Sequence, residues 1–403
     1  MRYQEALDWL FSTQMFGIKL GLDGPRRLLK EFLAHPAHGV TVIHVAGTNG
    51  KGSTCAMIDS IARACGRRCG LFTSPHLIDF RERIKVTGED IPEEECAAML
   101  TELRALCERM ENHPTFFEIT LVLAMRWFRI KECEMIVLET GMGGRLDATT
   151  AVPADVAVIT PIGLDHMQWL GNTLEEIAME KAGIIVRGKP VISAPQPPAV
   201  LRVLDQESNE LRAPFEVIEE PLLGYPMALA GDHQTWNAAL AVAALHRAGI
   251  HLSSDSVGYG LSHVTWPGRF EIIRPGVILD GAHNPQSAEV LAATWRQMFP
   301  KKKAAIVFSA VGGKDIAGIL ELLAPLASKI FLCPVDTPRA VTAEELAGDL
   351  PADSPPHETF ATFEEAFAAA SSQTNPILIA GSLFLVGEAR AYLTGTDFQS
   401  STQ

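Results

Sequence analysis

The first chemically informative feature is a glycine-rich turn that follows a short strand pattern. Residues Val40–Ala46 are mostly apolar and β-branched, and Gly47–Thr54 (GTNGKGST) follows directly. The glycines let backbone N–H groups point inward, the next helix N-terminus adds about half a positive charge, and Lys51 can reach terminal phosphates. A strict P-loop would need Gly at Val45 and Ser or Thr at Gly52, so a simple strand-to-helix turn is the alternative. The ordered combination favours nucleotide binding.

A carboxylate, a histidine and a lysine follow later strand patterns. Glu139 ends an apolar strand pattern, Asp165-His166 follows DVAVIT, and Lys181 lies on the next helix pattern. A carboxylate at the carboxyl end of a parallel strand suits Mg²⁺ beside a nucleotide. Taken alone, Glu139 could cap the next segment, His166 could be structural and Lys181 could be a solvated surface charge. The GMGG stretch after Glu139 is not a dinucleotide fingerprint, because Leu146 occupies the third glycine position.

The elements that must position these residues alternate between strands and helices, which predicts an α/β fold with a mainly parallel sheet covered on both faces. The predicted strands are Val40–Ala46, Met135–Glu139, Val156–Thr160, Pro190–Ser193, Phe215–Ile218, Val277–Asp280, Ala305–Ser309, Lys329–Cys333 and Pro376–Ala380. The predicted helices are Ser53–Ala64, Glu93–Glu111, Phe117–Lys131, Leu174–Ala182, Gln286–Met298, Ile316–Ala327 and Phe363–Ala370.

The alternation restarts after Thr265–Gly268, which predicts two domains. Residues 1–265 would form a large P-loop-type domain with a mainly parallel sheet, and residues 266–403 a smaller, Rossmann-like α/β domain. Ligands of such sheets lie at the carboxyl ends of the strands, so we expect the chemistry in a cleft between the domains.

Composition limits the class of partner and the compartment. The net charge of −14 argues against nucleic acid as a partner. The seven cysteines form no CxxC pair, which is typical of reduced thiols in a cytoplasmic protein. No run of 18 apolar residues is present and the first residues predict an amphipathic helix, so neither secretion nor membrane insertion is expected.

The glycine-rich turn, extended to HVAGTNGKGST, resembles the phosphate loop of the folylpolyglutamate synthase and dihydrofolate synthase family, within the Mur ligase superfamily. The resemblance continues along nearly the whole chain. Its further motifs are TSPHL at Thr73–Leu77, RERI at Arg81–Ile84, ETGMGGRLDAT at Glu139–Thr149, GLDH at Gly163–His166, EKAGI at Glu180–Ile184, HQTWNA at His233–Ala238, PGRFE at Pro267–Glu271, LDGAHNP at Leu279–Pro285 and GSLFLVGEAR at Gly381–Arg390.

The resemblance implies an ATP site, a metal site and a modified lysine. The implied ATP-binding residues are Asn49, Gly50, Lys51, Gly52, Ser53, Asn237, Arg269 and Asp280. Two Mg²⁺ ions would be bound by Ser74, Glu139, His166 and a carbamylated Lys181, and the catalytic residues would be Lys51, Lys181 and His283. Carbamylation converts the lysine cation into an anion suited to a hard metal. Because Arg269 and Asp280 lie in the second predicted domain, the ATP site would be completed by domain closure.

The resemblance also implies the reaction: ATP converts a folate-type carboxylate into an acyl phosphate, which the amine of L-glutamate attacks. We expect a monomeric enzyme. The residues implied to contact the pterin or folate are Thr115, Phe116, Phe117, Glu118, Leu146, Asp147 and Ala148. Gly21–Gly24 matches another substrate loop more weakly, and Asp147 could instead cap a helix. The match Arg145–Ala148 favours a bifunctional enzyme that acts on dihydropteroate and on the glutamate tail of tetrahydrofolates.

Three alternatives remain at this level: a monofunctional folylpolyglutamate synthase, a Mur-type ligase of peptidoglycan precursors, and a P-loop ATPase switch without ligase activity. A Mur-type ligase would need a UDP-binding domain before the phosphate loop, yet only 46 residues precede Gly47. Three positions depart from the family pattern, namely Thr150, Gly313 and Phe384. They leave the prediction of glutamate recognition weaker than that of ATP recognition.

Overall fold

The computed structural model describes residues 1–17, 19 and 21–399, and the chain divides into two compact units. The first unit contains residues 1–75, 81–226 and 236–264, and the second contains 76–80, 227–235 and the chain from 265 onward. The second unit thus includes two short segments that precede residue 265.

The first unit is built on an eight-stranded sheet. Its strands are β1 (Thr41–Ala46), β2 (Cys69–Phe72), β3 (Ile84–Val86), β4 (Glu89–Asp90), β5 (Met135–Glu139), β6 (Val156–Ile159), β7 (Val191–Ser193) and β8 (Phe215–Val217). They lie in the order β4-β3-β2-β5-β1-β6-β7-β8, and only the pairings of β3 with β2 and with β4 are antiparallel. Strands β5 and β6 are buried throughout, as expected for parallel strands covered on both faces.

The second unit contains a six-stranded sheet. Its strands are β9 (Glu271–Arg274), β10 (Val277–Asp280), β11 (Ala304–Phe308), β12 (Ala327–Leu332), β13 (His357–Thr359) and β14 (Ile377–Ala380). They lie in the order β13-β12-β11-β14-β10-β9, and only β9 is antiparallel to its neighbour. Side chains alternate between two cores: Ile278 and Ile306 pack on one face, and Leu279 and Val307 on the other.

Fifteen α-helices are present in the described residues, and none of them is long and apolar enough to cross a bilayer. They are α1 (Tyr3–Ser12), α2 (Asp23–Glu31), α3 (Lys51–Ala64), α4 (Glu93–Cys107), α5 (Phe116–Ile130), α6 (Met167–Leu170), α7 (Leu174–Ala182), α8 (Pro198–Glu210), α9 (His233–Arg247), α10 (Ser254–His263), α11 (Pro285–Met298), α12 (Ile316–Leu323), α13 (Ala343–Gly348), α14 (Phe363–Ser371) and α15 (Leu383–Thr394).

The predicted fold class is confirmed, and every predicted strand and helix is present. Met135–Glu139, Val277–Asp280 and Leu174–Ala182 have the predicted bounds, and the others have shifted ends. The largest shifts are at helix ends: α12 was predicted to continue to Ala327 but ends at Leu323. Pro325 follows within a short 3-10 turn, and proline has no N–H to continue the α-helical bonds. Strands β2, β3, β4, β9 and β13 were missed, and each has four residues or fewer, which carry little pattern.

Helix α3, which follows the phosphate loop, is supported from outside by α10. The Ser60 hydroxyl donates to the Gly260 carbonyl at 2.8 Å. A Cβ atom at Gly260 would lie 2.7 Å from the Ile61 Cα atom, so the two backbones approach as closely as glycine permits. This contact fixes the position of the helix whose N-terminus faces the phosphate loop.

We predict that Gly260→Ala destabilises the protein although alanine is the better helix former. The added methyl group overlaps the backbone of α3, and overpacking of this kind costs about 1–3 kcal/mol. Gly258→Ala is the matched control in the same helix, since a Cβ atom there meets only Tyr225 at 3.5 Å. The control should gain up to ~1 kcal/mol from helix propensity. Thermal unfolding of both variants tests the contact, and equal stabilisation of both would contradict it.

Candidate active site

The phosphate loop has the tight backbone that its glycines predicted. Gly47 has φ +151°, and a Cβ atom there would lie 1.8 Å from Thr160 Oγ1, so no side chain fits. Gly50 is left-handed with φ +87° and is the N-cap of α3. The loop therefore turns directly from β1 into the helix N-terminus, where free N–H groups favour an anion.

The loop is anchored to the segment that follows β6. The Thr48 and Asn49 N–H groups both donate to the Pro161 carbonyl, at 2.9 and 3.2 Å. The Thr48 hydroxyl donates to the Gly163 carbonyl and accepts from the Gly163 N–H, both at 3.0 Å. The GLDH segment, which includes His166, is thereby fixed beside the phosphate loop.

Four more of the predicted ATP-binding residues lie at this loop. Lys51 begins α3, and its Nζ donates to the Thr48 carbonyl at 3.3 Å. Asn237 is buried on α9, and a Cβ atom at Gly50 would meet its Oδ1 at 2.8 Å. The Asn237 side chain thus packs directly against the turn of the loop. Gly52 and Ser53 are buried in the first turn of α3.

Lys181 is the most unusual cation of this region. It is 4% exposed, and its Nζ donates to the Gly47 carbonyl at 2.7 Å. Burial, assisted by the positive charge of Lys51, lowers the pKa of Lys181 to about 7. Asp165 and Asp147 oppose that shift. The amine is therefore neutral for much of the time at physiological pH, unlike an exposed lysine.

The carboxylate predicted to bind metal ends β5 at the same edge of the sheet. Val45 of β1 pairs with Glu139 of β5 and with Val158 of β6, so three strands end together. Glu139 is 5% exposed, and its Oε2 accepts the Ser74 N–H at 3.2 Å. Two of the four predicted metal ligands are therefore in contact.

His166 is held in an unusual backbone conformation. It has φ +51° as the N-cap of α6, and its N–H donates to Asp165 Oδ1 at 2.8 Å. Its ring is partly exposed, with Nε2 at 4.0 Å from the same oxygen. A left-handed non-glycine residue is uncommon and occurs often at functional sites.

The donor set suits a hard divalent cation only if Lys181 is modified. Within the described parts of the chain, no group of three or more His, Cys, Asp and Glu side chains is arranged to hold a metal. The predicted set contains one such carboxylate and one imidazole, so a serine hydroxyl and a carbamate would have to complete it. A neutral buried amine, the form that reacts with CO₂, fits that requirement.

The three segments predicted to bind the folate substrate meet at the start of α5. Thr115 caps α5: its hydroxyl accepts the Glu118 N–H, and the Glu118 carboxylate accepts the Thr115 N–H at 2.6 Å. A Cβ atom at Gly24 would lie 2.7 Å from Glu118 Oε1, and one at Gly141 would lie 2.8 Å from the Phe117 ring. The first turn of α2 and the GMGG loop therefore flank this segment. Thr115 and Glu118, predicted to contact the folate, therefore also form the N-terminal cap of α5.

Asp147 organises the loop that contains it. Its Oδ2 accepts the Gly141 and Met142 N–H groups, both at 3.0 Å, and its Oδ1 accepts both the N–H and the hydroxyl of Thr149. The helix-cap role considered from the sequence is therefore present, at the 3-10 turn Ala148–Ala151. A hydrogen bond from a pterin ring would have to share or displace one of these four. Leu146 is exposed and Ala148 is buried.

The remaining predicted residues lie in the second unit. Asp280 ends β10 and accepts the Phe270 and Ala282 N–H groups at 2.8 and 2.9 Å. Burial raises the pKa of Asp280, and the nearby Arg269 guanidinium opposes the rise. His283 Nδ1 donates to the Gly281 carbonyl at 2.8 Å, which fixes the orientation of its ring. These residues line the carboxyl end of β10, where ligands of parallel sheets bind.

Arg83 and His44 were not identified as candidate site residues from the sequence. Arg83 is fully buried, with its guanidinium 5.2 Å from the centre of the Phe116 ring, and burial lowers its pKa to about 9. The negative charges of Glu82 and Glu139 oppose that shift. His44 is buried within β1. The motifs RERI and HVAGTNGKGST contain them, but a charge or a histidine inside a motif does not reveal that it is buried.

Comparison with known proteins gives matches over both units. The Mur ligase middle domain family matches residues 45–192, and the Mur ligase glutamate ligase domain family matches residues 268–383. The Bacillus subtilis dihydrofolate synthase/folylpolyglutamate synthase is 36% identical to this chain. The alignment covers 97% of this chain and 99% of that protein.

Two solved structures have the same fold over nearly the whole chain. E. coli FolC in complex with DHPP and ADP is 32% identical with a TM-score of 0.88, covering 97% of this chain and 98% of its own. A bifunctional folylpolyglutamate synthase/dihydrofolate synthase with Mn, AMPPNP and L-glutamate bound is 31% identical with a TM-score of 0.85, covering 96% and 98%. The chain therefore belongs to the dihydrofolate synthase/folylpolyglutamate synthase family of Mur ligases and is an ATP-dependent ligase that adds glutamate to folates.

Proposed function

We propose that the enzyme is bifunctional: it joins L-glutamate to dihydropteroate and also extends the glutamate tail of tetrahydrofolates. The observation that carries this proposal is the whole-length similarity to the B. subtilis protein, which is named for both activities. The meeting of Gly24, Glu118, Phe117 and Gly141 at the start of α5 supports it, because one folate-binding surface can serve both acceptors. The E. coli neighbour was solved with DHPP and ADP.

The phosphate loop and Lys51 would bind and neutralise the transferring group of ATP. The γ-phosphoryl group passes to the substrate carboxylate, and the glutamate amine then attacks the acyl phosphate and releases phosphate. Such a reaction needs in-line positioning and neutralised charge more than a covalent nucleophile. Asn49, Gly50, Gly52, Ser53 and Asn237 would complete the nucleotide contacts in the first unit, and Arg269, Asp280 and the catalytic His283 belong to the second.

Lys181 would act as a carbamate that binds Mg²⁺ together with Ser74, Glu139 and His166. The bound Mg²⁺ ions, two in this proposal, would supply neutralising charge next to the phosphates. A neighbouring structure with Mn and AMPPNP bound supports the use of ATP with a divalent metal. The depressed pKa of Lys181 supports the modification, since only the neutral amine reacts with CO₂.

The compartment and the assembly state are part of the same proposal. All seven cysteines are free, and six of them are buried, which fits a reducing cytoplasm. We propose a cytoplasmic monomer whose partners are small molecules, namely folates, L-glutamate and ATP, and not nucleic acid or membranes.

The bifunctional assignment predicts glutamate-dependent ATP consumption with either dihydropteroate or tetrahydrofolate as acceptor. Phosphate release and product mass, measured for each acceptor with and without glutamate, test it. Turnover with tetrahydrofolate but none with dihydropteroate would leave a monofunctional folylpolyglutamate synthase. A rate of phosphate release that is the same with and without glutamate would instead indicate an ATPase.

Replacing Lys51 by alanine should abolish ligation while leaving the fold intact, because its amine contacts the loop and the core does not depend on it. We expect a loss of about 10²–10³-fold in kcat, the scale of one preorganised electrostatic contact. Lys189→Ala is the matched control, since that lysine forms an exposed ion pair with Asp155. Near-normal turnover of folded Lys51→Ala at saturating ATP would refute the phosphate-loop role.

The Lys181 carbamate should be visible by ¹³C NMR after incubation with ¹³C-bicarbonate. Because the pKa of the free amine is about 7, the neutral form and the carbamate signal should grow as the pH rises from about 6 to about 8. Lys181→Ala should lose the signal and the activity, with partial rescue of activity by a small carboxylic acid. A signal that persists in Lys181→Ala would assign the carbamate to another lysine and contradict the proposal.

A further inference from the structure

The imidazole of His44 is buried in the middle of an apolar strand. His44 is 1% exposed on β1, between the buried residues Ile43 and Val45. A buried polar group without a partner costs free energy that an apolar residue at the same position would avoid. The partner of His44 therefore indicates why a polar residue occupies this position.

A chain of hydrogen bonds leads from His44 to Asp147. His44 Nε2 lies 2.8 Å from the Thr149 hydroxyl, and that hydroxyl contacts Asp147 Oδ1. Asp147 also accepts hydrogen bonds from the N–H groups of Gly141, Met142 and Thr149, so four donors bond its carboxylate. Burial raises the pKa of Asp147, and these hydrogen bonds oppose the rise. A carboxylate surrounded by four donors is satisfied in its ionised, acceptor-only form.

The direction in which these hydrogen bonds are donated determines which nitrogen of His44 is protonated. The Thr149 hydroxyl donates its single hydrogen to the Asp147 carboxylate, so it can only accept a hydrogen bond from the imidazole. His44 must therefore carry its proton on Nε2. Burial lowers the pKa of His44 to about 3, so the ring stays neutral and this tautomer is present at all physiological pH values.

This chain of hydrogen bonds connects β1, which leads into the phosphate loop, with the loop that carries the predicted folate-binding residues. Asp147 is flanked by Leu146 and Ala148, and its Oδ2 holds the backbone just beyond Glu139. Without the Thr149 hydroxyl, Oδ1 would lose one donor and the carboxylate could rotate away from Gly141 and Met142. A displaced carboxylate would move the Leu146–Ala148 segment directly and the phosphate loop much less.

We propose that His44, acting through Thr149, is a positioning residue for the folate substrate: it fixes Asp147 and the adjoining Leu146–Ala148 segment. This inference rests on the proposed function, because it assumes that this segment contacts the folate. His44 itself need not touch substrate, ATP or metal.

Steady-state kinetics of matched variants test the proposal. Thr149→Val removes the hydroxyl that donates to Asp147, and His44→Leu removes the donor that orients this hydroxyl, each at similar volume. The KM for dihydropteroate should rise about tenfold or more in Thr149→Val, the scale of a lost hydrogen bond to a charged group, and should rise also in His44→Leu. The KM for ATP should stay within about twofold. His44→Gln keeps an N–H near the Nε2 position and Thr149→Ser keeps the hydroxyl, so both should retain a low KM for dihydropteroate.

Thr294→Val is the control for losing a buried threonine hydroxyl, since Thr294 donates only to the Val290 carbonyl of its own helix in the second unit. It should change the thermal stability without changing either KM. Equal increases of the KM for ATP and for dihydropteroate in His44→Leu would indicate a general packing defect and overturn the proposal. An unchanged KM for dihydropteroate in an active His44→Leu variant would overturn it as well.

A spectroscopic measurement tests the chain without substrate. The imidazole ¹⁵N shifts of the intact wild-type enzyme should show His44 neutral with the proton on Nε2 between about pH 5 and pH 8. Thr149→Val should change the Nε2 shift, and a proton on Nδ1 in the wild type would refute the chain. A wild-type enzyme inactive with both acceptors would instead overturn the proposed function, and with it the folate role of His44.

Discussion

The parallel pairing of β5 and β6 on either side of β1 determines where chemistry can occur in the first unit. Because Val45 pairs with both Glu139 and Val158, the three strands end at one edge. The phosphate loop, the carboxylate and the GLDH segment follow from those three ends. Thr48 then joins two of the segments through Pro161 and Gly163. A change of register by one residue would separate groups that lie far apart in the chain.

Burial at this edge changes the chemistry of the ionisable groups. Lys181 lies against the Gly47 carbonyl beside a second lysine, and its amine loses most of its preference for the charged form. Burial raises the pKa of Asp147 while four hydrogen bonds to its carboxylate oppose the rise, and His44 stays neutral. The same desolvation thus has a different result at each residue, depending on whether donors, acceptors or charges surround it. An exposed copy of each side chain would titrate normally.

Several motif residues have a structural task in addition to the expected contact with a ligand. Thr115 and Glu118 cap α5, Asp147 caps a 3-10 turn, and Asp280 holds the backbone on both sides of itself. Short polar side chains at strand and helix ends satisfy the free N–H groups there. Since ligands bind at the same ends, one residue can shape the loop and bind the substrate. A motif match alone does not separate the two tasks.

The sequence by itself determined the fold class, the alternation of strands and helices and the phosphate loop, because local periodicity and glycine spacing express these directly. Local pattern was insufficient at two kinds of place. The end of α12 before Pro325 was placed wrongly, and the short strands β3, β4 and β13 were missed because two or three residues carry no reliable period. Only the tertiary structure decided that Lys181 is buried on Gly47 and that His44 reaches Asp147. Those contacts join residues over 100 positions apart, and desolvation depends on what surrounds a side chain in space, which no local pattern encodes.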